Sequence, residues 1–126
     1  MLRSQKIAVT TVGTAGSASG DGYGAQPING IVRALRVDWH ANAPAGTSDI
    51  TITIEADDDH PAITLYAKTN AVTDLWVYPH AQATDTAGAA ITGWYLPLVG
   101  SGRIKVSVAQ CDALTNAVVV TAYVEE

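Results

Sequence analysis

The chain has 126 residues, 12 acidic against 7 basic side chains and a formal net charge of −5. That length is one domain of ordinary size, able to bury a core without disulfides or a structural metal. The acidic balance excludes nucleic acid as a main partner, because phosphate binding needs clustered Lys and Arg, whereas Arg33, Arg36, Lys68, Arg103 and Lys105 are scattered.

Charged residues make up only 15% of the chain, against roughly 25% in an average soluble domain. Two readings follow: other subunits cover part of the surface, since charge is depleted at interface cores, or Thr, Ser, Asn and Gly solvate the outer faces. The single cysteine, Cys111, forbids an intrachain disulfide and reads as a small buried hydrophobe. The opening MLRSQKIAV lacks the apolar stretch of a signal peptide, and no run approaches the ~18 apolar residues of a membrane helix. The expectation is a protein made and used without Sec export and without a membrane partner.

In chain order, Gln5 to Val12 is rich in β-branched residues and predicts a short strand. Gly13 to Asn29 holds five glycines with Ser, Ala and a proline. Such composition loses much entropy on ordering, so residues 1–29 read as a strand followed by a loop or arm, with the sandwich proper over 30–126. From Gly30 a long strand carries Ile31, Leu35, Val37 and Trp39 on one face, with Arg33 intruding, and Ala34, Arg36, Asp38 and His40 on the other. Ala41 to Asp49, containing Pro44 and Gly46, is a loop. Ile50, Ile52 and Ile54 then alternate with Thr51, Thr53 and Glu55.

Further strands follow at Ala62 to Lys68, at Thr73 to His80 (ended or placed at an edge by Pro79), and at Gly93 to Val99, interrupted by Pro97. Gly100-Ser101-Gly102 predicts a tight turn joining that strand to Arg103–Ala109 as a hairpin. Ala117 to Glu125 is apolar enough for a central strand covered on both sides. About eight short strands with turn signals and no amphipathic helix predict an all-β antiparallel sandwich, jelly-roll-like, with an immunoglobulin-like sandwich as the alternative.

Chemical motifs are sparse. Asp57, Asp58, Asp59 and His60 form the one acidic cluster. Adjacent aspartates can offer oxygen ligands to a hard cation, but the EF-hand alternation is missing and a solvated turn before Pro61 explains them as well. His40, His60 and His80 lie near the ends of three elements without zinc-ligand spacing. No G-x-S-x-G is present, Gly22 and Gly24 lack a strand–loop–helix context, and Glu55 with Asp74 is a conceivable glycosidase carboxylate pair with no motif to support it. No catalytic residue and no cofactor is assigned. Trp76 and Tyr78 fall on the face opposite Leu75 and Val77, and Trp94 and Tyr95 sit on another strand. These four aromatics are candidates for a subunit interface, for core, or for a sugar-stacking platform.

The succession Gly30-Ile31-x-x-x-Leu35-x-Val37-Asp38, Ala43-Pro44, Asp49-Ile50-Thr51-Ile52, Tyr78-Pro79 and Ser107-Val108-Ala109-Gln110-Cys111-Asp112, before a valine-rich last strand, resembles small capsid decoration, or cement, proteins of tailed bacteriophages. The likeness runs from Gly30 onward and is one of strands and turns. It implies a non-enzymatic virion structural protein on the capsid surface, made in the host cytoplasm. Its partners would be the major capsid protein and its own copies, as a homotrimer bridging capsomers. The competing expectations are a carbohydrate- or receptor-binding β-sandwich and a head–tail joining or tail component. The arm over residues 13–29 would then order against a neighbouring subunit or the capsid.

Overall fold

A computed structural model describes residues 1–42 and 45–126. The loop turn expected at Ala43 and Pro44 lies outside the described residues. Ten antiparallel strands form two sheets: β1 Leu2–Val9, β2 Ala18–Tyr23, β3 Ile28–Trp39, β4 Asp49–Ile54, β5 Ile63–Lys68, β6 Leu75–Val77, β7 His80–Thr84, β8 Ala90–Gly102, β9 Ile104–Cys111 and β10 Val118–Glu125. The larger sheet runs β1-β10-β3-β8-β7 with β6 also on β3, and the smaller runs β2-β9-β4-β5.

The pairings are nested. β1 pairs β10, β2 pairs β9, β3 pairs β8, and β4 pairs β5. This long antiparallel ribbon is rolled so that β10 also meets β3 and β9 also meets β4. It is the double-sheet jelly roll, built from eight of the ten strands, and it displaces the immunoglobulin-like alternative. The core lies between the sheets. Ile7, Val9, Leu35, Val37, Val118, Val120 and Ala122 face Ile50, Ile52, Ile54, Ile104, Val106 and Val108, all at most 2% exposed.

Four local expectations change in the folded chain. The first is the glycine-rich segment. Residues 1–29 are not a strand with an appended arm: β2 forms within Gly13–Asn29 and pairs with β9, and β3 already begins at Ile28. Backbone contact is the reason for the glycines. A Cβ on Gly20 would stand 2.2 Å from the Thr10 carbonyl oxygen, and one on Gly22 would stand 2.7 Å from that of Ala8. The glycines let β2 lie against the β1 backbone, and the ladder to β9 offsets the entropy that composition alone makes unfavourable.

The second is the expected hairpin around Gly100–Gly102. β8 and β9 lie in different sheets, and the chain crosses the sandwich between them. The third is the inward face of β3. Ala34 pairs with Tyr123 and Val32 with Val124, leaving Arg33 as an extra residue. This bulge puts Val32 into the core in place of Ile31, which stays half-buried, and turns Arg33 outward to bond Glu125. The fourth is the Thr73–His80 strand, which ends at Val77, with β7 starting anew beyond Pro79. The last strand, β10, buries one face fully, while Val119 and Tyr123 on its other face are half-buried.

Candidate interaction surface

The outer face of the larger sheet is apolar and aromatic. It is built around β6, a three-residue strand paired with β3 through Leu35–Val77, Arg36–Trp76 and Val37–Leu75. Period-two alternation packs Leu75 and Val77 against the core and sends Trp76 outward, 48% exposed. Tyr123 of β10 lies beside it with ring centres 5.8 Å apart, and Tyr78 stacks on the other side at 6.5 Å with the rings within 10° of parallel. The Arg36 guanidinium carbon sits 5.7 Å from the Trp76 ring centre and its Nε donates to Asp38 at 3.0 Å. A cation over an indole face is attracted by the ring quadrupole, so Arg36 fixes the indole without adding net charge.

Two shallow hollows flank this aromatic row. One, of about 560 Å³, is lined by Met1, Leu2, Ala34, Trp76 and Tyr123, with the Arg33–Glu125 ion pair at its side. The other, of about 390 Å³, lies between Tyr78, Pro79 and His80 and the β8 residues Tyr95, Leu96 and Pro97. His80 meets Tyr95 edge-on at 4.9 Å. Arg33 holds the Glu125 carboxyl below the usual carboxylate range by its hydrogen bond and its charge. The polar groups at the first hollow are therefore already matched to each other.

Beyond the sheet, β7 and the first part of β8 form a two-stranded ribbon. β8 pairs with β3 only over Leu98–Gly102, because β6 occupies the next stretch of the same β3 edge. Displaced from β3, the remainder of β8 pairs with β7, through His80–Pro97, Ala81–Leu96 and Gln82–Tyr95. Every residue from Ala90 to Pro97 is exposed, including Trp94 at 69% and Leu96 at 60%. An isolated two-stranded hairpin is marginal in water, and this one presents large apolar side chains on both sides. The low charge of the chain concentrates here: His80 to Pro97 contains one Asp and no Lys, Arg or Glu.

The residues singled out from the sequence are thus placed as follows. Trp76, Tyr78, Trp94 and Tyr95 are all exposed. Trp76 and Tyr78 share the sheet face, whereas Trp94 and Tyr95 belong to the ribbon. None of the four is core. Tyr123, Met1, Leu2, Ile91, Leu96 and Val99 extend the apolar surface, and alternation did not flag them. A strand exposed on both sides carries the same continuous apolar signal as one buried on both sides.

The Asp57–His60 cluster folds onto itself. Asp57 Oδ1 accepts the N–H groups of Asp59 at 2.8 Å and His60 at 3.0 Å, and the Asp59 bond is the main reason its carboxyl titrates below the usual range. His60 places Nδ1 2.7 Å from the Pro61 carbonyl oxygen and Nε2 2.7 Å from that of Ser101, with Asp57 Oδ2 at 3.2 Å. Carbonyls at both ring nitrogens, Pro61 first, raise its pKa above 6.5. The cluster closes a turn and ties it to the end of β8.

Asp58 and Asp59 point into solvent, His40 accepts from the Asn42 N–H, and His80 lies 3.0 Å from the Tyr78 carbonyl. Among the described residues no three His, Cys, Asp or Glu side chains gather to hold a metal. Glu55 pairs with Arg103 at 3.0 Å, and Asp74 accepts the Trp39 N–H at 2.6 Å, so the two carboxylates serve separate structural contacts. Chemically, the surface offers apolar area, stacking faces and self-neutralised ions. No family model matches this chain, and no curated protein is significantly similar to it.

Proposed function

We propose that the protein is a non-enzymatic structural subunit of a phage virion, a decoration or cement protein that sits on the capsid surface, bridges capsomers and associates with its own copies as a homotrimer. The observation that carries the structural-subunit reading is the uncovered aromatic face of the larger sheet together with its doubly exposed ribbon. A contiguous apolar surface rimmed by paired ions suits protein docking. The capsid as partner and the threefold state come from the resemblance of the strand-and-turn succession to phage decoration proteins.

The test is copy number and shell binding. The protein should be present in many copies per purified particle and should co-sediment with capsids that lack it. A few copies per particle would favour the head–tail joining or tail role, and no binding to capsids would reject the decoration role.

A carbohydrate- or receptor-binding module is the second reading, favoured by one observation. Trp76 and Tyr78 are both exposed on the sheet face, and exposed aromatic rings can stack on sugars. A glycan array decides between the two, since a specific glycan signal lost in Trp76→Ala would establish this reading.

A further inference from the structure

We infer that β7 is a self-pairing edge: the β7 strands of two copies of this chain align antiparallel about a twofold axis at Gln82, joining their ribbons into one four-stranded sheet. The inference goes beyond the virion reading and does not rest on it. The direction of the β7 backbone groups is its starting point. Pro97 has no N–H, so His80 and Pro97 cannot exchange both ladder bonds, and the bonded pair is Ala81 with Leu96. The Asp85 N–H donates to the Ala89 carbonyl, which continues the same alternation. Ala81 and Asp85 therefore bond toward β8, whereas His80, Gln82 and Thr84 turn their N–H and C=O groups to the open edge.

Among the described residues every other sheet edge is blunted. β1 carries Arg3 and Lys6 and β2 carries Asp21, and the two strands cover each other through the Val12–Ser19 bridge and the approach of Gly20 to Thr10. β5 ends in Lys68 and bulges at Leu65, which is left over between the Tyr66–Ile52 and Thr64–Thr53 pairs. β6 is three residues long and stops short of Pro79. In the ribbon, the outer edge of β8 is broken by Pro97 and by a bulge between Ala90 and Tyr95, where Gly93 takes a φ of 84°. Charges, bulges, prolines and brevity are the devices that keep edges from pairing. β7, His80-Ala81-Gln82-Ala83-Thr84, has no Asp, Glu, Lys, Arg or Pro, and it pairs with β8 alone.

A second copy is the occupant because this edge matches itself. With Gln82 on the axis, Gln82 faces Gln82, His80 faces Thr84 and Ala81 faces Ala83, allowing about six backbone hydrogen bonds with no like charges opposed. A chain of net charge −5 repels its own copies over most of its surface. Asp85, the one Asp, Glu, Lys or Arg of the ribbon, would face Pro79 and lie about 20 Å from its symmetry mate. Pairing also turns a two-stranded ribbon, marginal in water, into four strands. An edge contact covers less than the ~800 Å² per partner of a standard interface, so it is weak and reversible. It is isologous and twofold, and so distinct from the threefold association proposed above.

Disulfide trapping of the purified full chain under mild oxidation tests this, because the native Cys111 is buried and does not compete. In the proposed register Ala81 lies about 4.5 Å, Cα to Cα, from Ala83 of the second copy, within disulfide reach. Two copies of Ala81, or of Ala83, lie about 8 Å apart, beyond it. A mixture of Ala81→Cys and Ala83→Cys should therefore cross-link at least about tenfold faster than either variant alone. Adding Gln82→Pro to both should slow the mixed cross-link about thirty-fold, since each strand loses its donor at the axis. Gln82→Glu, which opposes two carboxylates there, takes its place should Gln82→Pro fail to fold by circular dichroism.

A mixture no faster than the single variants would overturn the proposal, as would a mixture indifferent to both Gln82 variants. Capsid binding lost in Gln82→Pro, with no cross-linking of the free chain, would also overturn it and assign the edge to a strand of the capsid protein. The decoration role is read separately by capsid co-sedimentation. Trapped pairs of a chain that ignores capsids sink that role and leave this contact standing.

Discussion

Removing residues 1–29 should unfold the protein and not merely detach an appendage. The deletion takes away β1, β2 and the start of β3, an edge strand from each sheet. Ile7, Val9 and Ile28, each no more than 1% exposed, go with them. Fully burying such a side chain contributes about 1.5–3 kcal/mol, so the three together account for about 5–9 kcal/mol. The total stability of a domain is about 5–15 kcal/mol. The deletion also strips the cover from Val118, Val120 and Val124 of β10 and opens the β10 and β9 edges. Far-ultraviolet circular dichroism and urea unfolding of the truncated chain should show loss of strand signal or no cooperative transition. The single substitution Ile7→Ala, which leaves both strands in place, should cost about 2–5 kcal/mol. A truncated chain that unfolds cooperatively near the wild-type midpoint would refute the reasoning and restore residues 1–29 to the status of an arm.

Gly30→Ala should destabilise by about 1–3 kcal/mol or more, because the new Cβ would lie 2.2 Å from the Glu125 carbonyl oxygen in the β3–β10 ladder, and an unchanged melting temperature would contradict that contact. The His60 contribution to stability should be present in full below its unfolded pKa near 6.5 and decline as pH rises through its raised folded value. His60→Gln should remove that decline, and an NMR titration placing the ring at or below 6.5 would contradict it. At the acid end, the lowered Glu125 and Glu126 carboxyls should withdraw stability as pH falls through their folded values, an effect weakened in the double variant with Arg3→Gln and Arg33→Gln, which leaves Glu126 the Asn29 N–H. Chelation should leave the melting temperature unchanged, because Asp57 spends Oδ1 on two backbone N–H groups of its own turn; a drop reversed by Ca²⁺ or Zn²⁺ would show that the turn opens to hold a metal.

What the sequence determines by itself is local. Alternation in Ile50-Thr51-Ile52-Thr53-Ile54 and in Ile104 to Val108 states which side chains enter the core, because strand side chains alternate irrespective of the neighbouring strand. The outward position of Trp76 and Tyr78 against Leu75 and Val77 follows from the same period, and Pro79 marks the strand end because it has no donor to offer. Tertiary structure decides everything that depends on which edge meets which.

The glycines of β2 resemble a flexible arm until the Thr10 and Ala8 carbonyls are seen where their side chains would be. Arg33 looks like an intruder in an inward row until the bulge assigns it to Glu125. Gly100 to Gly102 reads as a hairpin turn, yet β8 and β9 have better partners in opposite sheets. The ribbon is the most dependent of all. Trp94 to Leu96 is exposed because β6 holds the stretch of β3 that β8 would otherwise pair with, and competition between two strands for one edge is a non-local matter that no window of sequence contains.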